Sequence, residues 1–175
     1  MYRVRPMTAD DIPHVERIEL EAFPEMRAPT SYARELESKL SRYFVLEAGG
    51  TIVGYAAMWF IVDEAHLLSI AVAEDCRRQG LGELLLIAGM EMAMRREADM
   101  MTLEVRVSNL VAQALYEKYG FVKAGRRRGY YTDNNEDAFL MTIEHVPEES
   151  NVARLAELKV LHERRVGAYE IVRAD

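Results

Sequence analysis

The chain has 175 residues, half of them apolar and 29% charged, the composition of one globular domain with a proper core and not of a disordered or fibrous protein. Its net charge of −7 excludes tight binding to a phosphate backbone, so no nucleic-acid partner is expected and cationic partners suit it better. No apolar run approaches the roughly 20 residues that span a bilayer, and Met1-Tyr2-Arg3-Val4-Arg5 lacks a signal peptide's apolar stretch, so a cytoplasmic protein with no membrane partner is expected.

In chain order, Tyr2 to Arg5 alternates like a strand, and Thr8-Ala9-Asp10-Asp11 with Pro13 in the first turn opens a helix running to about Phe23. Pro24 and Pro29 bracket a break, after which Thr30 caps a second, amphipathic helix through Leu36 and Leu40. Strands Arg42 to Ala48 and Thr51 to Ile61 form a hairpin over Gly49-Gly50. An apolar strand from His66 to Val72 leads through Arg77 to Gly82 into a helix from about Leu81 to Arg96. Then follow a strand from Met101 to Val107, a helix from near Asn109 ending before Gly120, a strand from Phe121, and a last strand from Ala138 to Ile143. Strands outnumber helices, and hairpins flank alternating elements, so the fold class is α/β or α+β mixed, a mixed sheet with helices packed on it. After Pro147 the character changes: Asn151 caps a pattern of Val152, Leu155, Leu158 and Leu161. We expect residues 1–146 to form the domain and residues 147–175 a helical extension, set against the domain, a second copy or a partner subunit.

The short basic clusters, Arg77-Arg78, Arg95-Arg96, Arg126-Arg127-Arg128 and Arg164-Arg165, read by default as solvated faces. Cys76 precedes two arginines that could activate its thiol, although an incidental cysteine is the favoured reading.

Arg77-Arg78-Gln79-Gly80-Leu81-Gly82 sits between an apolar strand and an apolar helix, where glycines let backbone N–H groups approach a ligand and the helix N-terminus presents its positive end. That geometry suits a pyrophosphate. It is no P-loop, because Gly-Lys-Ser/Thr is missing, and no dinucleotide fingerprint, because Leu85 stands where a third glycine belongs.

Arg77-x-x-Gly80-x-Gly82 resembles the acetyl-CoA pyrophosphate motif of the GNAT N-acetyltransferase superfamily, written Arg/Gln-x-x-Gly-x-Gly/Ala. The resemblance extends over roughly residues 1–145. It is most specific at His66-Leu67-Leu68-Ser69-Ile70-Ala71-Val72, at Leu103-Glu104-Val105-Arg106-Val107-Ser108-Asn109, and at Ala114-Leu115-Tyr116-Glu117-Lys118-Tyr119-Gly120-Phe121. With Gly129-Tyr130-Tyr131 and Glu136-Asp137-Ala138, these are similar to RimI-type and archaeal catalytic subunits of protein N-terminal acetyltransferases. The resemblance implies a mostly antiparallel mixed sheet with splayed middle strands. It also implies acetyl-CoA as cosubstrate, held by Ile70, Ala71, Val72, Arg77, Arg78, Gln79, Gly80, Leu81, Gly82, Asn109 and Tyr116, with protein or nascent-peptide N-termini as acceptors.

Acetyl transfer to an amine needs a neutral amine, a polarised thioester carbonyl and a proton for the thiolate. On its strand Glu104 points away from the apolar face of Leu103, Val105 and Val107, which makes it the first choice of base. His66, with an ordinary pKa near 6.5, is the second candidate. The resemblance has the two converge on the amine through water; two such ligands make no structural metal site, and no required metal is expected. Tyr116 stands seven residues, two helical turns, after Asn109. The resemblance gives Asn109 a hydrogen bond to the pantetheine arm, Tyr116 the thiolate's proton, and the backbone of Ile70 to Val72 the acetyl carbonyl. For the acceptor it implies Glu25 and Met26 on one wall and Tyr130 and Tyr131, in a loop before the last strand, on the other. Met26 and Arg27 replace the family's Asn and Tyr, so its first-residue preference does not carry over. Two alternatives stay open: acetylation of a small amine or a lysine side chain, and a catalytically silent CoA-binding scaffold subunit.

Overall fold

Gly49 and Gly50, both at positive φ (59° and 85°), make the tight turn between strands β2 (Ser41–Ala48) and β3 (Thr51–Ile61), whose twist requires left-handed backbone at both turn residues. The hairpin lies inside one sheet in a computed structural model that describes residues 1–25 and 30–173. The other strands are β1 (Tyr2–Pro6), β4 (Glu64–Val72), β5 (Met100–Arg106), β6 (Val122–Tyr131), β7 (Glu136–Glu144) and β8 (Tyr169–Ile171). Their order is β6-β7-β5-β4-β3-β2-β1-β8, with only β4–β5 and β1–β8 parallel among the described residues. The expected mixed, mostly antiparallel sheet is what forms.

Alternation along the strands divides the interior in two. Val45 faces α1 (Ile12–Ala22) and α2 (Tyr32–Glu37), joining Val15, Ile18, Tyr32 and Tyr55. Phe44 and Leu46, on the opposite face, join Leu84, Leu85 and Met90 of α3 (Leu81–Arg95). From Glu83 to Met90 every residue of α3 is buried, because the sheet covers one side and α5 (Glu149–Val166) the other. Each such leucine contributes about 1.5–3 kcal/mol by leaving water. The remaining helix, α4 (Leu110–Lys118), bridges β5 and β6.

Three local expectations need correction. The second helix is shorter than its apolar spacing suggests: it runs Tyr32–Glu37 from Ser31, and Leu40 lies beyond it, exposed. Thr30 caps nothing; its hydroxyl donates to Glu19 at 2.6 Å. The tail is not helix alone, since after Gly167 the chain returns to the sheet and β8 pairs with β1 through Tyr2–Tyr169 and Val4–Ile171. So short a strand has no periodicity to detect.

Candidate active site

The β4–β5 ladder runs from Glu64–Met100 to Leu67–Leu103 and stops. A bulge explains why: opposite Ala57 and Met58 of β3, β4 presents Leu67, Leu68 and Ser69, so the extra residue Leu68 bends β4 away from β5. The strands diverge, and Leu68 to Ile70 face Glu104 to Arg106 across a cavity of about 750 Å³. Glu25, Asn109, Tyr116, Tyr130 and Tyr131 also line it. A second cavity of about 430 Å³ shares Phe23, Ile70, Asn109 and Tyr116 with the first and continues past Ala71 and Val72 to Arg77, Arg78, Gly80, Leu81 and Gly82.

Glu104 is the charged centre of the larger cavity. Met101, Leu103 and Val105 are buried on the other face of β5, as the alternation predicts. One Glu104 oxygen accepts from His66 Nε2 at 2.7 Å, and the other pairs with Arg127 Nε at 3.1 Å. Burial pushes the carboxyl upward, but His66 and Arg127 more than offset it, so Glu104 stays below its ordinary pKa and ionised. His66 stands behind Glu104, outside the cavity lining, and holds the carboxylate through Nε2. Arg127 belongs to a cluster that the sequence marks as a solvated face. Its role depends on register: Glu104 and Gly125 both pair with Leu140, and Arg127, two residues beyond Gly125, reaches across the buried Ala138.

The glycines of the loop do different work. Gly80 has φ +81°, and a Cβ there would lie 2.9 Å from Val166 and 3.3 Å from His162, so it must be glycine for backbone and for close approach of α5. At Gly82 an added Cβ would meet only Ile70, at 3.9 Å; this glycine keeps the cavity open. Leu84 N–H donates to Gly80 O at 3.1 Å, which leaves the N–H groups of the first turn of α3 outside the helical ladder, as an anion site requires. Arg77 Nε donates to Val72 O at 3.2 Å and fixes the end of β4. Gln79 is absent from the cavity lining; its side chain accepts from the Tyr2 hydroxyl at 3.4 Å. The Cys76 thiol is pushed up by burial and by Asp75, so it is not activated.

Asn109 caps α4 by accepting from Ala112 N–H at 3.1 Å, and with Tyr116 it lines both cavities, as the two-turn spacing predicts. Burial raises the Tyr116 phenol to about 12, so it keeps its proton at all working pH values. Tyr130 and Tyr131 end β6 rather than lying in a loop, their rings edge to face with centroids 5.1 Å apart. The Arg106 guanidinium lies 3.9 Å from the Tyr131 ring centre and pairs with Asp133 at 2.9 Å, so it fixes this wall. Glu25 lines the opposite wall beside Phe23 and Pro24, while Met26 lies outside the described residues.

The sequence profile of the acetyltransferase (GNAT) family matches residues 12–121. A ribosomal protein bS18-alanine N-acetyltransferase of Escherichia coli is 37% identical over 147 residues, 82% of this chain and 97% of the relative. An N-alpha-acetyltransferase of Sulfurisphaera tokodaii is 37% identical over 154 residues, 80% of this chain and 91% of the relative. The crystal structure of the ribosomal-protein-S18-alanine N-acetyltransferase from Escherichia coli superposes with a TM-score of 0.71 at 34% identity, covering 83% of this chain and 94% of that one.

Proposed function

The chain belongs to the GNAT acetyltransferase family, and from that premise we propose that it transfers an acetyl group from acetyl-CoA to the free α-amine of protein N-termini. The observation that carries this reading is the ionised Glu104, clamped between His66 and Arg127 in a cavity that continues beneath the glycine loop.

The chain's residues fit the cosubstrate. The unladdered N–H groups at the start of α3 and the open face of Gly82 suit a pyrophosphate, while Asn109 and the unpaired edge of β4 from Ile70 to Val72 suit an amide-bearing arm. Arg77 supports this edge through its backbone, and Arg78, Gly80 and Leu81 shape the loop. When bound, acetyl-CoA supplies an acetyl group activated as a thioester.

An α-amine has a pKa of about 7.7–8.0, so roughly a tenth of it is neutral at pH 7 without help from the protein. Glu104 acts as nitrogen bonds to the acyl carbon. The nitrogen's acidity then rises steeply, and a carboxylate below its ordinary pKa still accepts the proton, directly or through water. His66 orients that carboxylate. Tyr116, near 12, lies some 3.5 units above a thiol at about 8.5, so its first task is to donate a hydrogen bond to the departing sulfur. Glu25 and the Tyr130–Tyr131 pair hold the acceptor's first residues. In this reading the site lies within residues 1–146, and α5 of the extension braces the loop from behind.

Incubation with acetyl-CoA and a free-amine peptide tests the proposal: free thiol should appear with wild type and be at least tenfold slower with Glu104→Gln. Equal rates would remove the role given to Glu104.

A further inference from the structure

The carbonyl oxygen of Gly80 accepts twice, from Leu84 N–H at 3.1 Å and from His162 Nε2 at 2.8 Å. A carbonyl can only accept, so Nε2 carries a proton, and in the neutral ring Nδ1 is bare. The peptide joining Gly80 to Leu81 is trans, and in a trans peptide the C=O and the N–H point in opposite directions. With the carbonyl turned toward α5, the Leu81 N–H is turned the other way, toward the cavity lined by Gly80, Leu81 and Gly82 and by no residue of α5. His162 therefore grips from behind the peptide whose N–H faces the cofactor cavity. A donor on a peptide's oxygen strengthens the donor at its nitrogen, because hydrogen bonds in a chain polarise one another.

A second observation concerns the other ring nitrogen. His162 is 2% exposed, and its Nδ1 has no hydrogen-bond partner among the described residues. A buried polar atom left so in a native fold calls for an explanation. Burial keeps the ring neutral; Gly80 O and Glu83 of α3 favour its charged form, and Arg165 of α5 and Lys118 of α4 disfavour it. Tyr169 of β8 meets the ring edge to face with centroids 5.4 Å apart, and the Tyr119 hydroxyl donates to Glu83. The loop's own charges, Arg77 and Arg78, line the cavity. Negative charge arriving in that cavity adds to the pull of Glu83, and the bare Nδ1 is the atom that can answer it.

We propose that His162 is a positioning residue for the cosubstrate: through Gly80 it aims the Leu81 N–H at the pyrophosphate, and its ring takes a proton from solvent as the pyrophosphate binds. The proposal deepens the reading of the second cavity as the acetyl-CoA site and rests on it. Linkage makes the effect reciprocal, so an anion whose binding draws in a proton is itself bound more tightly as pH falls.

The test is calorimetric titration of the full chain with CoA at pH 7.5 and pH 6.0, in buffers of different ionisation heat. Three proteins are compared: wild type; His162→Gln, whose amide donates to a carbonyl but takes no proton; and His162→Leu, which does neither. The 3′-phosphate of CoA itself titrates at about 6, a contribution common to all three that cancels in the comparison. At pH 7.5 His162→Leu should bind at least fivefold more weakly than wild type, and His162→Gln within twofold of it. At pH 6.0 wild type should take up a fraction of a proton that His162→Gln does not, and its Kd relative to that variant's should tighten at least twofold from pH 7.5. Rescue by glutamine and the proton count are readouts that a packing role alone would not move. His162→Leu within twofold of wild type, or His162→Gln as weak as His162→Leu, overturns the positioning role. Equal proton uptake by wild type and His162→Gln overturns the linkage, and this comparison stands by itself should the leucine variant fail to fold. No binding of CoA by wild type overturns the cofactor cavity and the proposal with it.

Discussion

His162 on α5 donates from Nε2 to the carbonyl oxygen of Gly80 at 2.8 Å, so the helix that follows the last site-bearing strand is tied to the glycine loop. Arg165, one turn along, pairs with Glu83, whose carboxylate also takes Lys118 at 2.6 Å and the Tyr119 hydroxyl at 2.7 Å. Burial lowers the His162 pKa, with Gly80 O and Glu83 opposing and Arg165 and Lys118 assisting. The unfolded chain therefore binds the extra proton first. The stability from neutral His162 is present above the unfolded value of about 6.5 and is lost as pH falls below it. Between pH 7.5 and pH 5 the Tm of wild type should fall further than that of His162→Gln, as read by calorimetry; parallel curves would show that the tie is inert.

The two loop glycines should separate by assay. Gly82→Val, facing the open cavity, should weaken acetyl-CoA binding at least tenfold, about 1.4 kcal/mol, with little change in Tm. Gly80→Ala places a Cβ against Val166 at a positive φ and should lower Tm by roughly 3–6 °C as well as weaken binding. Calorimetry reads both, and identical behaviour of the two variants would contradict the division of labour.

Arg127 helps hold Glu104 below its ordinary pKa, so its removal must move that pKa up. In Arg127→Met the acidic limb of kcat/KM should shift toward neutral pH, and only modestly, because the guanidinium is exposed and screened by solvent. Tyr116→Phe should lower kcat at least tenfold and leave that limb where it is. A limb fixed in Arg127→Met would mean that Glu104 does not govern it.

Arg106→Met should raise the peptide KM several-fold and change kcat by less than threefold, because Arg106 supports Tyr131 and Asp133 and takes no part in proton transfer. Steady-state kinetics with peptide varied at saturating acetyl-CoA measures it. A loss confined to kcat would place Arg106 among the reacting groups.

Legibility in the sequence followed the range of the interactions. The hairpin over Gly49-Gly50, the buried α3, the face of Glu104 and the Asn109–Tyr116 pair were all readable, because each rests on turn chemistry or on a period of two or of 3.6 residues. The partners of Glu104 differ. His66 was readable as a candidate beside it through resemblance, whereas Arg127 required the β5–β7–β6 register, which no local pattern contains. Glu83, His162 and Arg165 meet across about 80 residues of chain, and in sequence each is an ordinary polar residue on a helix. Gln79 lies within the motif, while its side chain turns to Tyr2, a contact across 77 residues that no local pattern contains.

The central claim concerns which amine is acetylated. A single peptide carrying both a free, small N-terminal residue and an internal lysine, incubated with acetyl-CoA at pH 7, puts the two amines in direct competition. The α-amine is some 2–3 pKa units easier to deprotonate, and the wall of Glu25, Tyr130 and Tyr131 suits a chain end more than a lysine stem. Tandem mass spectrometry should find the acetyl group on the N-terminal residue, with the lysine almost untouched. An acetyl group found mainly on the lysine, with the N-terminus free, would contradict the account.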